Sequence, residues 1–376
     1  MAGIYIHIPF CKQKCHYCNF YTTVSHSYHH EFISSLISEI ARRKQYLENK
    51  IVDTIYFGGG TPSILSIDEI NLIINTIYQE YNVSINAEIT LEANPDDLCK
   101  EKLFDIKSYT KINRLSIGIQ SFFDDDLHYL NRVHSGNQAH TSIENALLAG
   151  FENITIDLIY GIPTLTNKKW KENLNRFFDY GVPHLSSYSL TIEPKTALDV
   201  LIRKNKIENI VEKESIEHFE ILLNETQKYG LLNYEISNFA KDGYFSKHNS
   251  NYWLGKHYLG VGPSAHSYNG KSRQWNIRHI KRYCEGKPED LMDDKELLTQ
   301  SQQYNEYVLT SIRTSWGCDV EHIKKVFGAK YGHHFIKKIY DALMDKKVIK
   351  TANIYTLTNK GKLFADGIAS DLFYSS

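Results

Sequence analysis

From Ile4 to Ile192 the chain alternates short apolar runs with amphipathic segments, a rhythm that few folds accommodate. The runs Ile4 to Phe10, Val52 to Phe57, Glu88 to Ala93, Arg114 to Ile119, Ile154 to Tyr160 and His184 to Ile192 are short, and turn residues interrupt the sequence between them, which suits buried strands. Between them, His29 to Tyr46, followed by Leu47, spaces Phe32, Ile33, Leu36, Ile37, Ile40 and Leu47 three and four apart, the pattern of a helix with one apolar face. Further helices are predicted from a Ser66 or Asp68 cap to Tyr81, around Lys100 to Lys107, from Ala139 to Leu148 and from Lys168 to Tyr180; Asp124-Asp-Asp126 reads as a helix start. Repeated strand-helix units predict an α/β fold whose parallel sheet forms a partial (β/α) barrel, with functional residues on the loops at the carboxyl ends of its strands.

Past Glu193 the rhythm loosens. A helix from Glu212 to Tyr229 and a strand from Tyr234 to Phe239 precede a Gly-, Asn-, His- and Tyr-rich stretch from Lys241 to Asn269, too long for a simple connection. From Leu297 onward, helices at 300 to 313, 319 to 328 and 332 to 347, two strands flanking Tyr355 to Thr358 and a last helix predict a smaller C-terminal helical, winged-helix-like domain. At 376 residues the chain exceeds what one core usually serves. The division expected is a barrel domain at 1–275, a linker at 276–298 and the C-terminal domain at 299–376.

The formal net charge of -1 removes any global attraction to nucleic acid or acidic membranes. The lysines of the C-terminal region, Lys324, Lys325, Lys337 and Lys338 among them, lack a recognition-helix arginine pattern and read as solvated faces, so no nucleic-acid partner is expected. No apolar stretch has the length of a membrane span, and Ile4 to Phe10 lacks a basic leader and a cleavage site. The expectation is a cytoplasmic protein that is not integral to the membrane.

Cys11, Cys15 and Cys18 directly follow the first predicted strand, whereas Cys99, Cys284 and Cys318 are scattered and form no disulfide framework. Soft thiolates so closely spaced point to a metal. A structural zinc would need His7 or His16 as a fourth ligand; a four-iron cluster held by three cysteines leaves one iron open, which suits a catalytic rim. Gly58-Gly-Gly-Thr61, Glu92, Gln120 and Asp157 fall at or near the same rim.

The Cys-x3-Cys-x2-Cys arrangement resembles the signature of the radical S-adenosylmethionine (SAM) superfamily. Tyr5-x-His-Ile-Pro-Phe-Cys11, Gly58-Gly-Gly-Thr-Pro62, Glu92-Ala-Asn-Pro95, Gly118-Ile-Gln-Ser-Phe122, Asp157-Leu-Ile-Tyr-Gly-Ile-Pro163 and Ser189-Leu-Thr-Ile-Glu-Pro194 resemble, across nearly the whole chain, the oxygen-independent coproporphyrinogen III oxidase family. The resemblance implies a 4Fe-4S cluster on Cys11, Cys15 and Cys18, and SAM held by Tyr5, Tyr17, Gly60, Thr61, Glu92, Gln120, Arg132 and Asp157. In such a site glycine lets the backbone approach the ligand, carboxylates take ribose hydroxyls or balance cationic charge, and Arg132 offers a forked donor to the methionine carboxylate. Arg132 falls in a helix-like segment, where a solvated charge is the plain alternative.

That family contains both oxidases and heme carriers. The oxidases resemble Cys-x3-Cys-x2-Cys-x-Cys, whereas this chain has Phe20 at the last position, and an extension that precedes the motif in the oxidases is not expected here. His248-Asn-Ser-Asn-Tyr252-Trp253 resembles the His-Asn-x-x-Tyr-Trp motif of the HemW-type heme chaperones, which makes His248 the candidate heme ligand and the neighbouring rings a porphyrin wall. The plain alternative is a hydrogen-bonding surface histidine. The function implied is a heme chaperone with exchangeable SAM, transferring heme to an acceptor protein in the cytoplasm or at the membrane. The alternative is radical oxidative decarboxylation of coproporphyrinogen III, or other radical chemistry on a tetrapyrrole.

Overall fold

A computed structural model describes residues 1–287 and 291–375; positions 288–290 of the expected linker and residue 376 of the expected C-terminal domain lie outside the described residues. Strands β1 (Ala2–Ile8), β2 (Val52–Gly59), β3 (Val83–Ala93), β4 (Arg114–Gln120), β5 (Ile154–Tyr160) and β6 (His184–Ser189) lie side by side and parallel. Their apolar runs are continuous because helices cover the sheet: every residue of β4 is buried, and β1 is buried but for partly exposed Tyr5. Each fully buried Ile, Leu or Phe side chain contributes about 1.5–3 kcal/mol.

The sheet does not stop there. A hairpin of β7 (Leu232–Glu235) and β8 (Asn238–Ala240) joins β6 antiparallel, where the sequence suggests one strand. On the other side β9 (His257–Val261) pairs parallel with β1, followed by β10 (His266–Tyr268), β11 (Ser272–Asn276) and β12 (Met292–Leu297). The result is one open twelve-stranded sheet, in which β1 sits between β2 and β9 and never meets β6. The partial barrel is therefore an arc of parallel strands extended at both ends. The outer strand β12 reads Met-Asp-Asp-Lys-Glu-Leu and is mostly exposed, and its charges discourage pairing with another chain.

Two stretches that read as irregular in the sequence carry regular elements here. The stretch from Lys241 to Asn269 holds the helix Lys247–Trp253 as well as β9 and β10. The segment 276–298 carries the helix Ile280–Glu285 and β12, so its described part is built into the sheet rather than strung between two bodies.

A buried carboxylate fixes this added half of the sheet. Glu39, 1% exposed on the helix His29–Arg42, accepts hydrogen bonds from Asn276 Nδ2 (2.7 Å), the Tyr283 hydroxyl (2.7 Å), the Gly262 amide (2.9 Å) and Arg43 (3.1 Å). A charge so placed is tolerated only because its oxygens are satisfied.

The C-terminal residues have their own core, centred on Tyr304, Ile323, Phe335 and Tyr355, and a small antiparallel sheet of β13 (Cys318–Asp319), β15 (Ile354–Leu357) and β14 (Val348–Thr351). They dock on the larger core through the Arg273–Glu306 ion pair (2.8 Å) and the Ser315 amide, which donates to the Tyr234 carbonyl (2.9 Å). Among the described residues no helix is long and apolar enough to cross a membrane.

Candidate functional site

β1 delivers the chain to Pro9 and Phe10, and the loop that follows is closed at its base: Cys11 N donates to Thr23 O (3.0 Å) and Thr23 N to Pro9 O (2.8 Å). Cys11, Cys15 and Cys18 line a cavity of about 460 Å³ at the carboxyl ends of the parallel strands. The Thr61 hydroxyl lies 3.4 Å from Cys11 Sγ, and an Arg132 nitrogen 3.4 Å from Cys15 Sγ. Burial pushes the Cys11 thiol up to about 11 and raises Cys18 as well. Thiolates at these positions need a strong positive charge beside them, which bound iron supplies. Among the described residues no three His, Cys, Asp or Glu side chains are gathered closely enough for a single metal ion. The three sulfurs line one cavity, a set of soft donors whose chemistry suits an iron-sulfur cluster.

The glycine turn after β2 makes room for β1 and its loop, residue by residue. A Cβ on Gly58 would come 2.9 Å from the Tyr5 ring, one on Gly59 2.6 Å from the His7 ring, and one on Gly60 3.0 Å from Cys11 Sγ. Gly59 also has φ +110°, where only glycine is unstrained. At the end of β3, Glu92 accepts from the Tyr56 hydroxyl (2.7 Å) and the Gly59 amide (3.2 Å); burial, with Asp157 nearby, pushes its carboxyl up to about 7. Asp157, held by the Ser116 hydroxyl (3.3 Å), is pushed up to about 6, chiefly by burial. Gln120 ends β4 at φ +65°, an uncommon backbone for glutamine, where pairing with β5 slips.

Arg132 is not helical. It lies beyond the helix Asp124–Tyr129 and turns inward, donating to Asn94 Oδ1 (2.7 Å) and the Gly118 carbonyl (2.9 Å). The charge is anchored at the cavity rather than solvated, and its Nε is buried without a partner among the described residues. An unused buried donor fits an anionic ligand group such as a carboxylate. Tyr17, Gly60, Thr61, Glu92, Gln120, Arg132 and Asp157 thus share one cavity with the cysteines. Tyr5 does not: as the inward alternate of β1 it belongs to the neighbouring cavity.

That second cavity, of about 440 Å³, is lined by Tyr5, His7, Tyr56, His248, Tyr252, Tyr258, His266 and Arg278. His248 is 2% exposed, so the surface-histidine alternative falls away. Its helix starts at a Ser246 cap, and the amides of Lys247 and His248 donate to the buried Glu88 carboxylate (3.2 and 3.1 Å). The ring stacks on Tyr56 at 4.8 Å, with Nδ1 at 2.8 Å from the Thr54 hydroxyl and Nε2 at 2.9 Å from the Tyr252 hydroxyl. Burial lowers its pKa to about 3, so the ring is neutral. Trp253 does not line this cavity; Arg313 of the C-terminal region lies over its ring at 5.7 Å. Sequence reasoning weighed His7 only as a zinc ligand, not as part of this cavity, and missed Tyr56, Tyr188 and Arg278. The period of two along β1 was the signal for His7, since it places that residue on the face of Tyr5. Asn19, Phe20, Glu92 and Tyr188 line both cavities and form the wall between them.

Comparison with known proteins agrees with this arrangement. The Radical SAM superfamily matches residues 5–191. The chain is 35% identical to the heme chaperone HemW of Bacillus subtilis (strain 168), covering 98% of each, and 32% identical to the heme chaperone HemW of Lactococcus lactis, covering 95% of this chain and 93% of that one. The chain belongs to the HemW branch of the radical SAM superfamily. Among solved structures, the coproporphyrinogen III oxidase HemN from Escherichia coli, a radical SAM enzyme, superposes with a TM-score of 0.84 over 99% of this chain and 90% of that one. At 22% identity that likeness speaks for the fold alone. This HemW-branch chain therefore shares its scaffold with an oxidase, and its full-length similarity at 30% identity or more with proteins named chaperones.

Proposed function

We propose that the chain is a heme chaperone that carries heme in the second cavity and hands it to an acceptor protein, with a 4Fe-4S cluster and exchangeable SAM in the first. The observation that carries the reading is the pairing of full-length similarity to HemW proteins with a second, tyrosine- and histidine-lined cavity beside the cysteines. Cys11, Cys15 and Cys18 would hold the cluster, which supplies an open iron for SAM and an electron to it. Arg132, with its unused Nε, would take the methionine carboxylate of SAM; Glu92 and Asp157 would take its hydroxyl or ammonium groups. Tyr5, Tyr56 and Tyr252 offer faces to a porphyrin, for which apolar area with polar tips is suited.

Phe20 supports carriage over oxidation. It stands in the wall between the cavities, 62% exposed, and brings neither a thiol nor any other redox or proton-transferring group to the place where the oxidases resemble a cysteine. The acceptor would be a protein in the cytoplasm or at the membrane surface. The deciding experiment gives anaerobically reconstituted protein SAM and reductant with either coproporphyrinogen III or heme. Stoichiometric heme binding without turnover is expected. Protoporphyrinogen formation at about 1 s⁻¹ or faster, an ordinary enzyme rate, overturns the reading in favour of the oxidase.

A further inference from the structure

Three histidines line the second cavity, and they differ in what their ring nitrogens are doing. His7 Nε2 donates to the Tyr21 carbonyl (2.9 Å), which leaves Nδ1 to accept from the Tyr5 hydroxyl (3.2 Å). His248 has both nitrogens engaged, by Thr54 and Tyr252. His266 is exposed, and among the described residues neither of its ring nitrogens is hydrogen-bonded; its ring lies against Trp275 at 5.8 Å, with 27° between the planes.

The backbone beneath His266 is held firmly. It follows the turn Gly262-Pro-Ser-Ala265, in which Ser264 has φ +65° and a Cβ on Gly262 would meet the His7 carbonyl at 2.5 Å. Ser264 N donates to Ile277 O (3.0 Å) and Asn276 N to Ala265 O (2.9 Å), while β10 pairs His266 with Trp275 on β11. A fixed backbone with an unengaged imidazole is preorganised for a ligand, whereas recruiting His248 means breaking one of its two hydrogen bonds. Arg278 stands exposed on the same cavity, a guanidinium suited to a propionate carboxylate.

We infer that His266, and not His248, supplies the protein's axial ligand to heme iron, with His248 acting as a rigid wall of the cavity. This rests on the heme-carrier reading. Partial desolvation, with the Arg273 charge nearby, also lowers the pKa of His266, which favours the neutral, ligating ring.

The test is hemin titration of the full chain, purified with its cluster, followed through the Soret band and the ferric spin-state bands. In His266→Ala the imidazole-ligated spectrum should disappear, affinity should fall by about tenfold or more, and added imidazole should restore the spectrum. His266→Cys should give the spectrum of thiolate-ligated heme, a change that a purely structural role does not produce. His248→Ala should weaken binding while keeping the imidazole-ligated spectrum. If His266→Ala keeps the wild-type spectrum and affinity, or His248→Ala alone loses the imidazole signature, the assignment is wrong and the carrier reading stands. If the wild-type chain binds no hemin, the carrier reading falls and the assignment with it.

Discussion

The two cavities lie side by side at one rim and are built on opposite principles. The first collects chemically unfinished groups: three thiols around a space, an arginine with a buried unpaired nitrogen, and two carboxyls pushed up by burial. The second is largely self-satisfied, with tyrosine and histidine rings stacked and hydrogen-bonded to one another and His266 left over. Unsatisfied groups mark a place completed by resident cofactors. A satisfied wall with one free ligand suits cargo that must come and go, because little is broken when it leaves. On the proposed function, the difference teaches that one fold can set a half that holds reactive groups beside a half furnished for release.

The harshest test of that separation is Cys15→Ala. It should remove the cluster's absorption and bring iron content close to zero, while hemin affinity stays within about twofold. Loss of both by the same substitution would merge the two cavities into one functional unit.

Glu39→Ala should strike the second cavity selectively. Four donors lose a fully buried acceptor, and the Gly262 turn and β11 lose their anchor, at a cost of about 3–5 kcal/mol in chemical denaturation. Hemin binding should suffer more than cluster retention; equal damage would show that the turn is held by other means.

Arg132→Lys keeps the charge but loses the fork. SAM affinity measured by calorimetry should drop by about tenfold with hemin affinity unaltered, and an unchanged SAM affinity would remove Arg132 from that site.

Acidity should separate the cavities by sign. Glu92 is raised by burial to about 7, so its folded form holds a proton that the unfolded chain releases near 4.5; its contribution to stability is present below that value and is lost as pH rises through 7. His248 is lowered by burial to about 3, so the unfolded chain gains a proton below 6.5 that the folded one refuses, and stability falls as pH drops from 6.5 toward 3. Denaturation profiles of Glu92→Gln and His248→Gln should therefore diverge from wild type in opposite directions, the first gaining relative stability on the alkaline side and the second on the acid side. Parallel profiles would contradict the contrast.

The smallest effect expected is that of Phe20→Cys. A side chain 62% exposed contributes little to packing, so Tm should move by no more than about 1–2 °C. Coproporphyrinogen turnover should not appear; if it does, the boundary between carrier and oxidase is a single residue.

Much of this was legible in the chain. The apolar runs of β1, β2, β4 and β5 reported a parallel sheet because both faces are covered, and the cysteine spacing reported the first cavity. The second cavity was not legible as a cavity. Its strand β9, His-Tyr-Leu-Gly-Val, is partly exposed at its start and lies within a stretch whose Gly, Asn and Ser content mimics a loop. Its neighbour in the sheet is β1, more than 240 residues earlier, and no local pattern announces a pairing of that range. The segment of Arg132 read as helix-like because propensity describes the backbone, whereas what turns this arginine inward is Asn94 and the bare Cα of Gly118, at the ends of two other strands. His248 could be singled out by type, but only the contacts of both its nitrogens reveal that the ring is already occupied.

The shared wall has a consequence for how such a chain can diverge. Asn19, Phe20, Glu92 and Tyr188 each face both cavities, so on the proposed function a mutation at any of them would reach the cofactor side and the cargo side together. Substitutions on the far sides, at Arg132 or at His266, would touch one task each, whereas substitutions at these four positions would touch both.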